Sequence, residues 1–181
     1  MNKITRLPAV PLITHDPMFS IWSNTDVPTG EDTVHWTGIK KKLRGVITVD
    51  GVRYRFLGRP TCKTMPMIAS SVTPLSTTYT FAAAGVELTV KFTSPLLMDD
   101  LDVLSTPIGF ISYDAVSTDG QQHDITVELW AFADLCHCGE YEPQMRLGFF
   151  SENGLNYGYM GKVQQTVLNG SGDQTTCDWG Y

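Results

Sequence analysis

Residues 43–57, LRGVITVDGVRYRFL, constrain the fold more than any other stretch. Two runs of alternating apolar residues flank Asp50-Gly51. A two-residue connection between antiparallel strands wants both central residues at positive φ, and Asp-Gly is among the best fits. The turn sets the register: Val49 opposite Val52, Ile47 opposite Tyr54, Gly45 opposite Phe56. Ile47, Val49, Val52, Tyr54 and Phe56 then line one face, and Thr48, Arg53 and Arg55 point away. A lone hairpin is not stable in water, so further strands must cover that face.

Those strands are legible downstream. Val86, Leu88, Val90 and Phe92 alternate with Glu87, Thr89, Lys91 and Thr93, the pattern of an antiparallel strand with one buried and one wet face. Strands are expected at 68–75 and 77–81 before a turn at 82–85. Residues 108–117 and 125–132 read as a strand pair, and 145–151 with 155–163 as a hairpin around the turn signal Asn153-Gly154. The acidic stretch 94–107 carries Asp99, Asp100 and Asp102 but lacks the glycine and closing glutamate of a calcium loop, so it reads as a solvated or helix-capping turn. No long amphipathic helix or repeat appears. About eight to twelve short strands make an all-β, antiparallel β-sandwich the economical architecture. The expected organisation is one sandwich domain over 1–181. Residues 1–42 form an irregular N-terminal extension packed on it, since Pro8, Pro11, Pro17 and Pro28 deny helix while Leu7, Val10, Leu12 and Ile13 can anchor it. The tail near 170–181 reads as a strand cut in mid-pattern.

Charge excludes some partners. Thirteen Lys+Arg against nineteen Asp+Glu give a net charge of -6, the wrong sign for a phosphate-binding surface, so nucleic acid is not expected. The one basic run, Lys40-Lys41-Lys42 with Arg44, reads as a solvated, aggregation-blocking strand edge. No stretch approaches the ~20 apolar residues of a membrane span. The N-terminus is interrupted by Pro8 and Pro11 before a signal peptide could form, so the expected location is cytoplasmic, or secreted or periplasmic if a leader has been removed. The four cysteines have no framework spacing and read as free thiols. Cys136, His137, Cys138 and Glu140 look superficially like metal ligands, but no second cluster completes a four-ligand set. Neither a metal nor a cofactor is expected.

Two polar-aromatic clusters stand out, 15–23 (HDPMFSIWS) and 32–38 (DTVHWTG). Each combines an imidazole, a carboxylate and an indole, a mixture that suits either a hydrogen-bonded corner or a pocket for a polar ligand. Asp16, Asp32, His35 and Trp36 are the candidate substrate-binding rim. No nucleophile motif such as G-x-S-x-G is present, and no residue is assigned a catalytic role.

Four segments, RLPAVPLITHDPMFSIWS, DTVHWTGIKKKLRGVITVDGVRYRFLG, FTSPLLMDDLDVLSTPIGFISYDAVSTDGQQHDITVEL and DWGY, together resemble the N-terminal region of the glutaminase A family of large microbial proteins. The resemblance implies a β-sandwich of the type that precedes an α/α toroid in glycoside-hydrolase-like proteins. It also implies an activity of the full-length enzyme, hydrolysis of L-glutamine to L-glutamate and ammonia. The first expectation is a non-catalytic or accessory domain whose partner is a downstream helical toroid of the same protein, with one loop lent to a small-molecule pocket. The alternative is a carbohydrate-binding or glycan-processing module, which needs Trp22, Trp36 or Trp130 exposed in line. A third reading, a metal-dependent hydrolase built on 136–140, requires bound metal.

Overall fold

The computed structural model describes residues 7–17, 19–137 and 143–164. In chain order its strands begin with β1 (Val10–Thr14), β2 (Ser20–Ser23), β3 (Leu43–Val49), β4 (Val52–Leu57) and β5 (Lys63–Thr64). They continue with β6 (Met67–Val72), β7 (Ser76–Ala83) and β8 (Val86–Thr93), then a short helix α1 (Leu101–Ser105) and β9 (Phe110–Ser117). The last are β10 (Ile125–Ala131), β11 (Met145–Glu152) and β12 (Leu155–Lys162). Two four-stranded sheets, β10-β3-β4-β5 and β6-β7-β8-β9, pack as an antiparallel β-sandwich, with two-stranded pairs β1-β2 and β11-β12 beside them. Among the described residues the one parallel pairing is the two-residue contact of β5 on β4.

The Asp50-Gly51 turn forms as its chemistry demands, with φ of 49° and 78°. Val49 pairs with Val52 and Ile47 with Tyr54, as the turn predicts, but a register shift between Gly45 and Val46 sets Gly45 opposite Leu57 rather than Phe56. At this point the Phe56 ring lies across Gly45 so closely that a Cβ there would fall 2.2 Å from it. The bulge adds Leu57 to the buried set, while Val52, near the turn, is left exposed.

The core draws on both sheets. Leu43, Ile47, Val49, Phe56 and Leu57 face Tyr79, Phe81, Val86, Leu88, Val90 and Phe92. The aromatic rings meet in tilted and edge-on contacts, Phe56 on Phe81 at 6.1 Å and Tyr79 on Phe92 at 6.5 Å, the geometry their quadrupoles prefer. The N-terminal residues are more regular than expected. β1 and β2 pair antiparallel and insert Leu12 and Ile21 into the core.

One expected pairing is wrong. β9 and β10 do not form a hairpin: β9 pairs with β8, β10 with β3, and residues 118–124 cross from one sheet to the other. That connection is too long for a tight turn, and each strand instead pairs along its whole length, β9 with β8 and β10 with β3. Asp100 does cap a helix, accepting the Val103 N–H at 3.0 Å, so the acidic stretch is the capping turn it reads as.

β11 and β12 pair in full register around Asn153 (φ 51°) and Gly154 (φ 78°). Among the described residues this ribbon joins no other strand.

Candidate functional site

The two polar-aromatic clusters meet, because Trp22 of β2 and Val34 exchange both backbone hydrogen bonds, at 2.7 and 3.0 Å. Their junction is the Pro17 carbonyl. It accepts from His35 Nε2 at 2.9 Å and also from Trp36 Nε1. A carbonyl only accepts, so Nε2 carries the proton and Nδ1 is the acceptor, facing the Thr37 hydroxyl at 2.8 Å. His35 is buried, Trp36 lies beside it with ring centroids 5.4 Å apart, and the indole is 48% exposed. Asp16 sits on the exposed turn next to Pro17, where its Oδ1 accepts the Phe19 N–H at 2.9 Å. His15 stacks on Phe19, and burial pushes its imidazole below the usual histidine range against the upward pull of Asp16.

Hydroxyl, imidazole and carbonyl thus form a line, Thr37–His35–Pro17, that superficially matches a nucleophile, a base and an orienting group. The third member differs from that of a Ser-His-Asp set: a neutral carbonyl orients the ring but stabilises an imidazolium less than a buried carboxylate does. The arrangement instead closes a tight loop, in which Gly38, at φ 89°, returns its N–H to the His35 carbonyl at 2.8 Å.

Asp32 is engaged elsewhere. Arg44 grips it with two bonds, Nε to Oδ1 at 2.8 Å and a terminal nitrogen to Oδ2 at 2.7 Å, and the Arg59 N–H adds a third at 3.1 Å. The Arg44 hydrogen bonds hold its carboxyl below the ordinary carboxylate range, against the opposing effect of partial burial. The structure therefore brings Asp16, His35 and Trp36 to one corner and spends Asp32 on tying the preceding loop to β3.

The basic run is not the solvated edge its composition suggests. Lys40 is exposed, but Lys41 is buried and its ammonium donates to the carbonyls of Leu135 (3.3 Å) and His137 (2.8 Å). Lys42 pairs with Asp134 at 3.1 Å. Lys42 and Arg44 each also lie 5.0 Å from the centre of the Phe132 ring. Cys136 is buried with its thiol toward the Met160 carbonyl at 3.4 Å, and Cys62 is a free thiol. Cys138, Glu140 and Cys177 lie outside the described residues. Among the described residues no group of three or more His, Cys, Asp or Glu side chains could hold a metal ion.

The cluster that sequence reading missed lies where turns from both sheets converge. His123 Nδ1 meets Asp50 Oδ2 at 2.7 Å and its Nε2 meets Asp119 Oδ1 at 3.1 Å. Asp50 Oδ1 also accepts the Asp124 N–H at 2.9 Å. Gly85, in the β7–β8 turn, packs so tightly here that a Cβ would lie 2.2 Å from Asp119. Hydrogen bonds to Asp50 and then Asp119 raise the His123 pKa, the His123 bond lowers that of Asp50, and the Gln121 N–H followed by His123 lowers that of Asp119. Ser117 Oγ bonds to Asp119 at 3.2 Å rather than to the imidazole, so the group is a charged brace and not a Ser-His-Asp triad. The only sequence signal was two Asp-Gly steps, Asp50-Gly51 and Asp119-Gly120, with a histidine three residues after the second.

These features define a class: a β-sandwich module whose polar clusters mainly tie loops and turns together. The chain belongs to the family described as domain of unknown function DUF5127, which matches residues 75–181. A second family pattern, domain of unknown function DUF4964, matches residues 1–69. The chain is also similar to a protein named glutaminase A from Aspergillus oryzae, at 28% identity over 189 aligned positions. The match covers 97% of this chain and 26% of that relative, so the chain spans about a quarter of the relative's length. The resemblance to an N-terminal domain of a glutaminase-like protein is thereby borne out. No solved structure matches the chain.

Proposed function

We propose that this chain is the accessory, non-catalytic β-sandwich module of a glutaminase-like protein, and that hydrolysis of L-glutamine to L-glutamate and ammonia belongs to the larger protein. The observation that carries this reading is how the reactive side chains are used. His35 is held between Thr37 and Pro17, Asp32 by Arg44, His123 by two aspartates, and Lys41 by two carbonyls. Amide hydrolysis needs a nucleophile or activated water, a base and an oxyanion site converging on one point. These groups point at four different places. The partner in this reading is a downstream helical toroid of the same protein, and the exposed Trp36 beside Asp16 is the part of the rim available to it or to substrate.

The test is ammonia release from L-glutamine by the 181-residue chain and by the same chain extended through the following coding sequence. Turnover only in the extended protein is expected. Turnover by the 181 residues alone would overturn the accessory role, and Asp16 and His35 would then be mutated first.

One observation favours a second reading, glycan binding. Phe150 and Tyr157 stack against each other, 4.7 Å apart and 8° from parallel, on an exposed strand pair, aromatic rings of the kind sugars stack on. The indoles do not supply it, since Trp22 and Trp130 are half-buried and the Trp130 N–H is taken by Glu128. A glycan panel that leaves tyrosine fluorescence and melting temperature unchanged would remove this reading.

A further inference from the structure

The β11–β12 ribbon has no evident reason to be apolar where it stands. Cross-strand partners share a face, so Leu147, Phe149 and Met160 lie on one side and Phe150, Leu155, Tyr157 and Tyr159 on the other. Phe149 is 82% exposed, and Leu147, Phe150, Leu155, Tyr157 and Tyr159 are exposed too. Each face also has a glycine beneath a ring. A Cβ on Gly148 would come within 2.6 Å of Tyr159, and one on Gly158 within 3.1 Å of Phe149. Tyr159 and Phe149 therefore lie over the glycine opposite them, one on each face, and Phe150 stacks against Tyr157. Residues 147–151 and 155–161 contain no charged side chain. A contiguous exposed apolar surface of this kind marks an interface, and an isolated two-stranded ribbon is marginal in water.

We infer that this ribbon is the docking element by which the sandwich joins another part of the same polypeptide, inserting between two apolar surfaces of it. Three observations select that occupant. The related glutaminase A has roughly three quarters of its length outside the match, so proteins of this kind carry ample further chain. Apolar side chains on both faces need two covering surfaces, which a cleft in a following domain supplies, whereas a symmetric contact with a second copy covers the same single patch on each. The absence of charge along these stretches excludes a partner held by salt links, nucleic acid above all. This inference rests on the accessory-module reading but not on glutamine being the substrate.

The experiment is hydrogen exchange on the 181-residue chain and on the protein extended through the following coding sequence, each also carrying Phe149→Ser with Tyr157→Ser. In the extended wild type, amides of residues 145–162 should exchange at least ~10-fold more slowly than in the short chain, and the double variant should lose that protection. Equal exchange in both lengths overturns the docking. So does protection already present in the short chain, whether it rises with concentration, which assigns the ribbon to a second copy, or is independent of it. The same samples are assayed for ammonia release. Turnover with an unprotected ribbon sinks the docking and leaves the glutaminase reading standing. A protected ribbon without turnover does the reverse.

Discussion

The β3–β4 and β11–β12 hairpins are built from the same local grammar and have opposite fates. Each turns on a residue-Gly pair with nearly identical angles, φ 49° and 78° at Asp50-Gly51 and φ 51° and 78° at Asn153-Gly154. Each lays a phenylalanine across a glycine, Phe56 over Gly45 and Phe149 over Gly158. Yet Phe56 is 1% exposed and Phe149 is 82% exposed. Turn chemistry writes a hairpin without reference to the rest of the chain, whereas burial is conferred by whatever the hairpin meets. In the first the covering sheet is present. In the second, no covering sheet is present among the described residues.

That contrast can be broken, beginning with the largest effect. Phe56→Ala should cost about 3–5 kcal/mol in equilibrium denaturation, since it empties the contact between two sheets. A loss below ~1 kcal/mol would mean that β3–β4 is no more core than β11–β12. Gly45→Ala should follow at about 1–3 kcal/mol, because its methyl group has to displace the buried Phe56 ring. Gly51→Ala and Gly154→Ala sharpen the comparison directly. Both sites are open, with nothing within 4 Å of the added carbon, so each bears only the strain of positive φ, about 1 kcal/mol. Denaturation should register the first, while the second should appear as faster amide exchange confined to β11 and β12. The smallest effect belongs to Phe149→Ser in the 181-residue chain, within about 0.5 kcal/mol of the parent.

The brace at the end of the first hairpin adds a pH-dependent difference that the second lacks. The His123 pKa is raised above its ordinary 6.5, so its contribution is complete below that value and is lost as pH rises through the folded-state pKa. Asp50 and Asp119 are lowered from 3.8, so theirs is present above that value and is lost as pH falls through their folded pKa values. His123→Gln should therefore lower the melting temperature most between about pH 4 and 6.5, with the deficit shrinking on the alkaline side. A deficit that does not vary across that range would show that the imidazole acts only by filling space.

Much of the fold was legible because it is written locally. The Asp-Gly and Asn-Gly turns, the alternation from Val86 to Phe92 and the capping role of Asp100 each depend on neighbours within a few residues. Pairing between distant strands was not. Nothing near Ile125 states that its partner is Val49 rather than a residue of β9, and nothing in the spacing of β4 announces that Phe56 will lie over Gly45 or that the register will shift there. The same division holds at the candidate corner. Chemistry alone singled out Asp16, Asp32, His35 and Trp36, but it could not show that Arg44 holds Asp32 away from the other three, or that Lys41 turns inward to two carbonyls. The Asp50–His123–Asp119 brace was invisible for the same reason, its members being brought together only by the crossover between sheets.

The pairing of β10 with β3 also governs how the chain must be made. The sheet that contains it takes β3, β4 and β5 from the region matched by one family pattern and β10 from the region matched by the other. During synthesis Val49 therefore waits for Ile125, while β3 presents an unpaired row of amides and carbonyls. Contacts so far apart in sequence form slowly. A nascent chain stalled before β10, or a fragment ending near β9, would carry that open edge as a template for another strand, and self-association rather than simple unfolding is its expected fate.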